Sequence, residues 1–455
     1  MNCMLKHKLL DHNLFNTSIV LFLLVSFSFI VTDWVIIPLI VLITIIQFIR
    51  LKKRIITNTW FFNSYFYLLI YSSIYSGAIH KIILISLLVF FLFFKEKQKN
   101  TLELKEINNK LKPEKTITFL FILLLFNSII FSPRLIGLDI YLYYFIIPLL
   151  FFFIKRNQER VCLLKSLRVL ISSVLVTSIL LVFVNLYEGT FLSELNTFFS
   201  RKLEITHVYY GMFLGVSNCF ILILNLNGKR YCNKRIDIII AALFFLILTY
   251  IGARIALIAS IFVLIIFLYK KLNLSAYRKL ILFLIVITFS VFLGTKSGRV
   301  QSGITQIKKV YISLKTDNKK DLIANSWRNM YQRFLVTKYT IEEIKQNYLL
   351  GIGMENVTEK ISKSIQEDGF IHFKPINPHN QYLHFFLGMG VIGLLYLLYI
   401  LYFYAVHQSI DSNIFLIFFT IIMLTESILV RGKGITVFTI FYLIFLSYKQ
   451  KQTAK

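Results

Sequence analysis

Residues 378–398 read "PHNQYLHFFLGMGVIGLLYLL", and the change of character along that stretch decides the fold. A proline and a His-Asn-Gln-Tyr cluster run straight into an apolar segment of the length that crosses a bilayer. Hydrocarbon does not tolerate idle polar groups, because each one lacking a partner costs free energy. A polar cluster at the lip of such a helix therefore implies that something polar binds there.

The apolar half of this pattern recurs along the whole chain. Of 455 residues, 57% are hydrophobic, 16% are charged and 45 are Phe, with a mean hydropathy of +0.71. The apolar residues come in long runs rather than alternating patterns, so the chain reads as an all-α polytopic membrane protein. Its first run, from about Ser18, lacks a small-residue cleavage site and leads straight into a second, so no removable signal peptide is expected. Apolar cores at 18–31, 34–49, 60–76, 79–94, 116–131, 139–154, 169–187, 207–225, 236–251, 254–269, 279–294, 382–404, 413–429 and 435–448 give about fourteen crossings, or about twelve if short ones pair or tilt.

Fifty basic against 22 acidic residues leave a formal charge of +28. The excess lies in short loops such as "RLKKR" (50–54), "KRNQER" (155–160) and "NGKRYCNKR" (227–235), while alternate turns such as "TD" (32–33) and "SGA" (76–78) carry almost none. That alternation is the positive-inside pattern, which puts the N-terminus in the cytoplasm. It explains the charge without nucleic acid, for which no basic stretch interleaved with aromatics is present. Cys3, Cys162, Cys219 and Cys232 have no metal-site spacing and imply no disulfide framework.

One outward segment is far longer than a usual connection: residues 295–381, a length that marks function or disorder. Within it "NSWRNMYQRFLVTKYTIEEIKQN" (325–347) reads as an amphipathic helix capped by Asn325 or Ser326, with Trp327, Met330, Tyr331, Phe334, Leu335 and Ile341 on one face. The glycines of "LLGIGMEN" (349–356) stand where a helix stop belongs. The chain thus divides into N-terminal crossings (1–200), central crossings (201–294), the long loop (295–381) and C-terminal crossings (382–455).

This topology brings the notable polar residues to one face: His207, Arg254, Arg328, His379, Asn380, Glu426 and Arg431. Ionisable groups at membrane depth are costly and tend to mark function. Each also has a plainer reading. Arg254 at a helix end can snorkel to headgroups, Arg328 can pair with a loop carboxylate, His379 can cap the next helix, and His207 can simply start one. Glu426 and Arg431 can pair with each other, and Gly351 and Gly353 can serve only as a helix stop. His384 reads as structural, and Glu355, Glu359, Glu367 and Asp368 read as a solvated face. Arginine forks match phosphate oxygens and stay charged, while an imidazole can take a proton from an attacking hydroxyl. No outward Asp or Glu pair suggests a divalent metal. The set suits metal-independent transfer from a lipid-linked pyrophosphate.

"PHNQYLHFFLGMGVIGLLYLL" resembles the His-Asn-x-Tyr-Leu and Gly-x-x-Gly segment of the O-antigen ligase and polymerase superfamily of bacterial envelopes. "GARIALIASIFVLIIF" (252–267) is similar to that family's Ser-Arg helix start, although Gly-Ala stands where the serine is usual. "SWRNMYQRF" and "LLGIGMENV" (326–357) are similar to its loop helix and Gly-x-Gly turn, here without a preceding proline. "HVYYGMFLG" (207–215) and "ESILVRGKGITVFTIFYL" (426–443) look like segments of some members. The resemblance covers about residues 200–445 and leaves 1–200 without a motif.

It implies a GT-C-like helical fold at the bacterial inner membrane, with a periplasmic site and no metal, cofactor or nucleotide sugar. By it, Arg254 and Arg328 bind an undecaprenyl-pyrophosphate-linked glycan donor. His379 activates the acceptor hydroxyl, Asn380 and Tyr382 shape the site, and His207, Gly351, Gly353, Glu426 and Arg431 join in substrate binding. The implied reaction inverts the anomeric carbon and moves a glycan to lipid A-core or another acceptor, as a ligase does. The alternatives are a polymerase of the same superfamily and, further off, a lipid-linked oligosaccharide flippase, for which internal repeats and midplane charges are lacking.

Overall fold

The computed structural model describes residues 19–26, 33–53, 57–75, 77–94, 112–131, 138–156, 161–187, 206–271, 305, 308, 312, 329–370, 373, 375–409 and 411–453. Among them the chain is helical and contains no strand. The helices are α1 (Asp33–Lys52), α2 (Asn58–Ser72), α3 (Gly77–Val89), α4 (Lys112–Phe131), α5 (Tyr143–Arg156), α6 (Leu163–Tyr187), α7 (His207–Leu226), α8 (Lys234–Ile251) and α9 (Arg254–Lys271). They continue with α10 (Asn329–Gln346), α11 (Val357–Glu367), α12 (Gln381–His407), α13 (Asn413–Met423) and α14 (Gly432–Thr453). Among the described residues, five segments are long and apolar enough to cross a membrane: 112–131, 138–155, 163–184, 207–226 and 381–407. The chain is an all-α polytopic membrane protein. The expected crossing at 279–294 lies outside the described residues.

α7 is the axis of the bundle, packed against α6, α8, α9 and α13. Its "GMFLG" carries glycines four apart, on one helix face, where small residues let helices approach closely. A Cβ on Gly211 would fall 2.3 Å from the Ala253 Cβ, and one on Gly215 2.3 Å from the Phe418 ring. α14 packs on α5, and α12 bridges α4, α10 and α13.

The expected span 413–429 is shorter than its composition suggests. α13 stops at Met423, and residues 424–431 form an irregular segment with a single 3-10 turn, Ile428–Val430. Glu426 therefore sits in a loop, not within a helix.

The long loop is ordered where it is described. α10 covers most of the expected helix, but the face it buries is displaced from the expected one. Leu335, Val336, Tyr339 and Ile344 are buried, whereas Ile341 is exposed. These side chains meet Val357, Ile361 and Ile365 of α11 and Leu387 of α12 in a second apolar core. Two acids expected to face solvent are instead tied down: Glu355 accepts from Ser128 at 2.5 Å and Asp368 accepts from the Tyr339 hydroxyl.

What fastens this loop to the bundle is a break in α12. Gly390 has φ +66° and ψ −162°, values outside any helix, so the ordinary ladder is interrupted there. The Val391 amide donates to Tyr348 O at 2.8 Å, while the freed carbonyls of Leu387 and Gly388 accept from Ile352 and Gly353 at 2.9 Å each. Asn127 of α4 completes the joint, donating to Gly388 O at 3.0 Å and accepting from the Met354 amide at 2.9 Å. α10 already ends at Gln346, so Gly351, at φ +73°, is not its stop as the sequence suggests but belongs to the turn that meets α12, and both it and Gly390 approach backbone too closely for a side chain. A Cβ on Gly390 would sit 2.0 Å from Leu349 O.

Gly390→Ala is expected to lower stability by about 2–4 kcal/mol, combining left-handed backbone strain with overpacking. Gly228→Ala, with the same φ of +66° but nothing within 4 Å, isolates the strain alone and should cost about 1–2 kcal/mol. Thermal unfolding of both variants in detergent measures the difference.

Candidate active site

The N-termini of four helices meet at one end of the bundle. The Tyr209 hydroxyl, in the first turn of α7, donates to Ser427 O at 3.3 Å, just before α14. Ala253, which precedes α9, lies against Gly211. Asn380, the N-cap of α12, donates from Nδ2 to Leu424 O at 3.0 Å. Aligned peptide dipoles make this end attractive to anions.

His379 precedes α12 with φ +49°, a conformation histidine tolerates better than branched residues. Its amide donates to Asn377 Oδ1 at 3.0 Å, closing a tight turn that sends the imidazole toward the 424–431 segment. Nδ1 lies 3.2 Å from Glu426 Oε2, while the other carboxylate oxygen pairs with Arg333 Nη2 at 2.7 Å. Arg333 also donates to Thr425 O at 3.1 Å. Glu426 is 7% exposed, against 29% for His379 and 39% for Arg333. Burial raises the Glu426 pKa, but the His379 and Arg333 contacts outweigh it and hold the carboxyl below its ordinary value. A buried carboxylate flanked by two nitrogen donors stays ionised and orients both.

The quartet His379, Asn380, Gln381 and Tyr382 acts as a clamp on α13 and the irregular segment that follows it. His379 holds Glu426 and Asn380 holds Leu424. Buried Gln381 accepts from the Leu429 amide at 2.6 Å, and Tyr382 reaches Thr420 O at 3.4 Å. Asn380, not His379, caps α12, its Oδ1 accepting from Leu383 N at 3.0 Å. The reading of His379 as a cap is thereby replaced. Glu426 likewise takes His379 and Arg333 as partners, so the plainer alternative, a pair with Arg431, is not what holds it.

Arg254 is exposed at the first position of α9, after the left-handed Gly252 (φ +67°) that closes α8. Arg431 is exposed where α14 begins, and its charge acts on both Tyr141 and Tyr209. His207 opens α7 at the same end. Gly351 and Gly353 serve the α12 joint rather than the His379 cluster. Arg328 lies outside the described residues. Arg333, five positions on, is the loop arginine that meets Glu426, and the sequence reading passed over it. Its signal was its place beside Phe334 and Leu335, where the loop helix turns toward its apolar face. Among the described residues no group of three or more His, Cys, Asp or Glu could hold a metal ion.

Residues 238–398 match the family model described as O-antigen ligase. The match takes in Arg254, Arg333, His379, Asn380 and Tyr382 and stops before Glu426. The match spans about a third of the chain and supports the O-antigen ligase and polymerase superfamily. Among curated proteins, none matches the chain.

The depressed Glu426 pKa has a signed consequence for stability. The ionised carboxylate is favoured in the folded state, so its contribution is present above the ordinary carboxylate pKa and is lost as pH falls through the lowered one. Glu426→Gln should therefore lower the melting temperature at neutral pH, with the gap to the unsubstituted protein closing in strong acid. Melting curves of both proteins across that range test it.

Proposed function

We propose that the chain is an O-antigen ligase-like transferase, moving a glycan from undecaprenyl pyrophosphate to lipid A-core or another acceptor. The basic ends of the helices face the cytoplasm by the positive-inside rule, which puts the His379 end on the periplasmic side of the inner membrane. The observation that carries this reading is the 3.2 Å contact between His379 Nδ1 and Glu426 Oε2.

With Nδ1–H donated to the carboxylate, the Nε2 lone pair is free to act as base. The acceptor hydroxyl gives its proton to Nε2 as its oxygen attacks the anomeric carbon from the face opposite the pyrophosphate. The bond from that carbon to the pyrophosphate breaks, and its electron pair leaves on the phosphate oxygen. The anomeric configuration inverts. Glu426 stabilises the imidazolium that forms. Arg254, Arg431 and the converging helix N-termini supply positive potential for the departing pyrophosphate. Arg333 holds Glu426 ionised and fixes its second oxygen, a positioning role. Arg328, with the resemblance as its support, is a further donor-binding candidate. No divalent metal enters the scheme.

His379→Ala should reduce transfer from a purified lipid-linked donor by at least about 100-fold, the scale of general-base catalysis. The protein should remain in the membrane, and a chelator should leave the unsubstituted activity intact. Arg254→Ala should weaken donor use, and Arg333→Lys should retain more activity than Arg333→Ala. In a deletion strain, full-length polymer left on the carrier marks a ligase, whereas single-repeat products mark a polymerase. Unsubstituted activity in both His379→Ala and Arg254→Ala would overturn the proposal.

A further inference from the structure

The turn that joins α10 to α11 carries no charge from Asn347 to Met354 and exposes three large side chains in succession. Tyr348 is 53% exposed, Leu349 57% and Leu350 61%. In water, an ordered turn of this kind would be an unusual place for so much apolar surface. Its level along the bundle gives a different reading.

Asn127 bonds both Gly388 and Met354, and Asn356 donates to Phe131 O at 3.1 Å. The turn is thus pinned beside residues 127–131 of α4. In that same stretch Ile129 and Ile130 are 56% and 66% exposed, so the apolar belt of α4 continues above the level of Asn127. α12 supplies a second ruler. Seventeen residues separate Gly390 from His407, about 25 Å of helix at most, which is less than the roughly 30 Å hydrocarbon thickness. From Ile392 through Leu395 and Leu398 the outward face of α12 is exposed and apolar. The Val391 amide on Tyr348 O joins that face directly to the turn.

Backbone at membrane depth must satisfy its own polar groups. The four amides from Gly351 to Met354 do so, donating to Asn347 O, Leu387 O, Gly388 O and Asn127 Oδ1. The base of the turn is thus satisfied without water, and at the tip itself Tyr348 O accepts from the Val391 amide.

We infer that Tyr348–Leu350 is a re-entrant tip of the long loop, immersed in the acyl chains of the leaflet at the His379 end. The loop is then held from two sides, by the broken α12 and by lipid. α10, with Arg333 near its start, hangs from this tip, so the depth of the tip sets the height of the arginine that meets Glu426.

The test is nitroxide accessibility in vesicles of phosphatidylethanolamine and phosphatidylglycerol. The full chain is used, with its four native cysteines replaced by serine or alanine. Leu350→Cys carries the label, Leu395→Cys serves as the lipid-facing reference and Lys363→Cys, exposed on α11, as the aqueous one. The expected result is an oxygen-to-nickel-chelate collision ratio at Leu350→Cys matching Leu395→Cys and several-fold above Lys363→Cys. A ratio matching Lys363→Cys overturns the inference. If Leu350→Cys does not fold, Leu349→Cys is read against the same references with the same two outcomes. No arm depends on catalysis, so the result stands apart from the transferase reading.

Discussion

A helix that breaks inside a bilayer leaves carbonyls and amides with no water to receive them, and at Gly390 that requirement organises the molecule. Leu387 and Gly388 lose their usual acceptances four residues on, and the long loop restores them with Ile352 and Gly353. Each buried amide or carbonyl left without a partner would cost on the order of 1–3 kcal/mol, so the loop and the broken helix are thermodynamically one unit. Asn127 extends that unit to α4 by bonding both parties at once. Gly351 and Gly390 follow from it, since only residues without a Cβ let two backbones come this close.

The functional geometry is built on the same joint. α10 ends at the turn that docks on α12, which sets where Arg333 falls. The first residues of α12 grip the segment carrying Glu426, and Glu426 in turn takes both His379 and Arg333 as partners. The carboxylate between them is nearly buried and keeps its charge because both its oxygens have cationic or hydrogen-bonding partners. Removing either partner would leave one oxygen of a nearly buried carboxylate without its donor, which costs more than the contact itself stabilises. Such a cluster is therefore rigid, and rigidity is what a base needs in order to meet a hydroxyl at a fixed distance.

The small residues of α7 play the equivalent part on the opposite flank. Gly211 and Gly215 admit Ala253 and Phe418, which draws the starts of α7 and α9 together and keeps Arg254 at the same end as His379. Converging helix N-termini then add their field to that of the arginines.

Much of this was legible in the residues alone. Long apolar runs can be satisfied in a bilayer only by helices, so the fold class followed from composition and spacing, and the convergence of Arg254, His379, Glu426 and Arg431 on one end followed from counting crossings. The His-Asn-Gln-Tyr cluster also declared itself, because polar groups at a helix lip need partners. What the sequence alone did not decide was who those partners are. The Asn380 side-chain amide nitrogen and Gln381 bond the chain between α13 and α14, while Tyr382 reaches α13 itself. Glu426 chose Arg333 and His379 over the nearer Arg431, and Gly351 and Gly353 went to a helix break rather than to the His379 cluster. Such pairings join residues tens of positions apart, and hydrogen-bond direction and helix rotation select them only once the tertiary fold exists. The periodicity that specifies a helix carries no information about the turn of another helix it will meet.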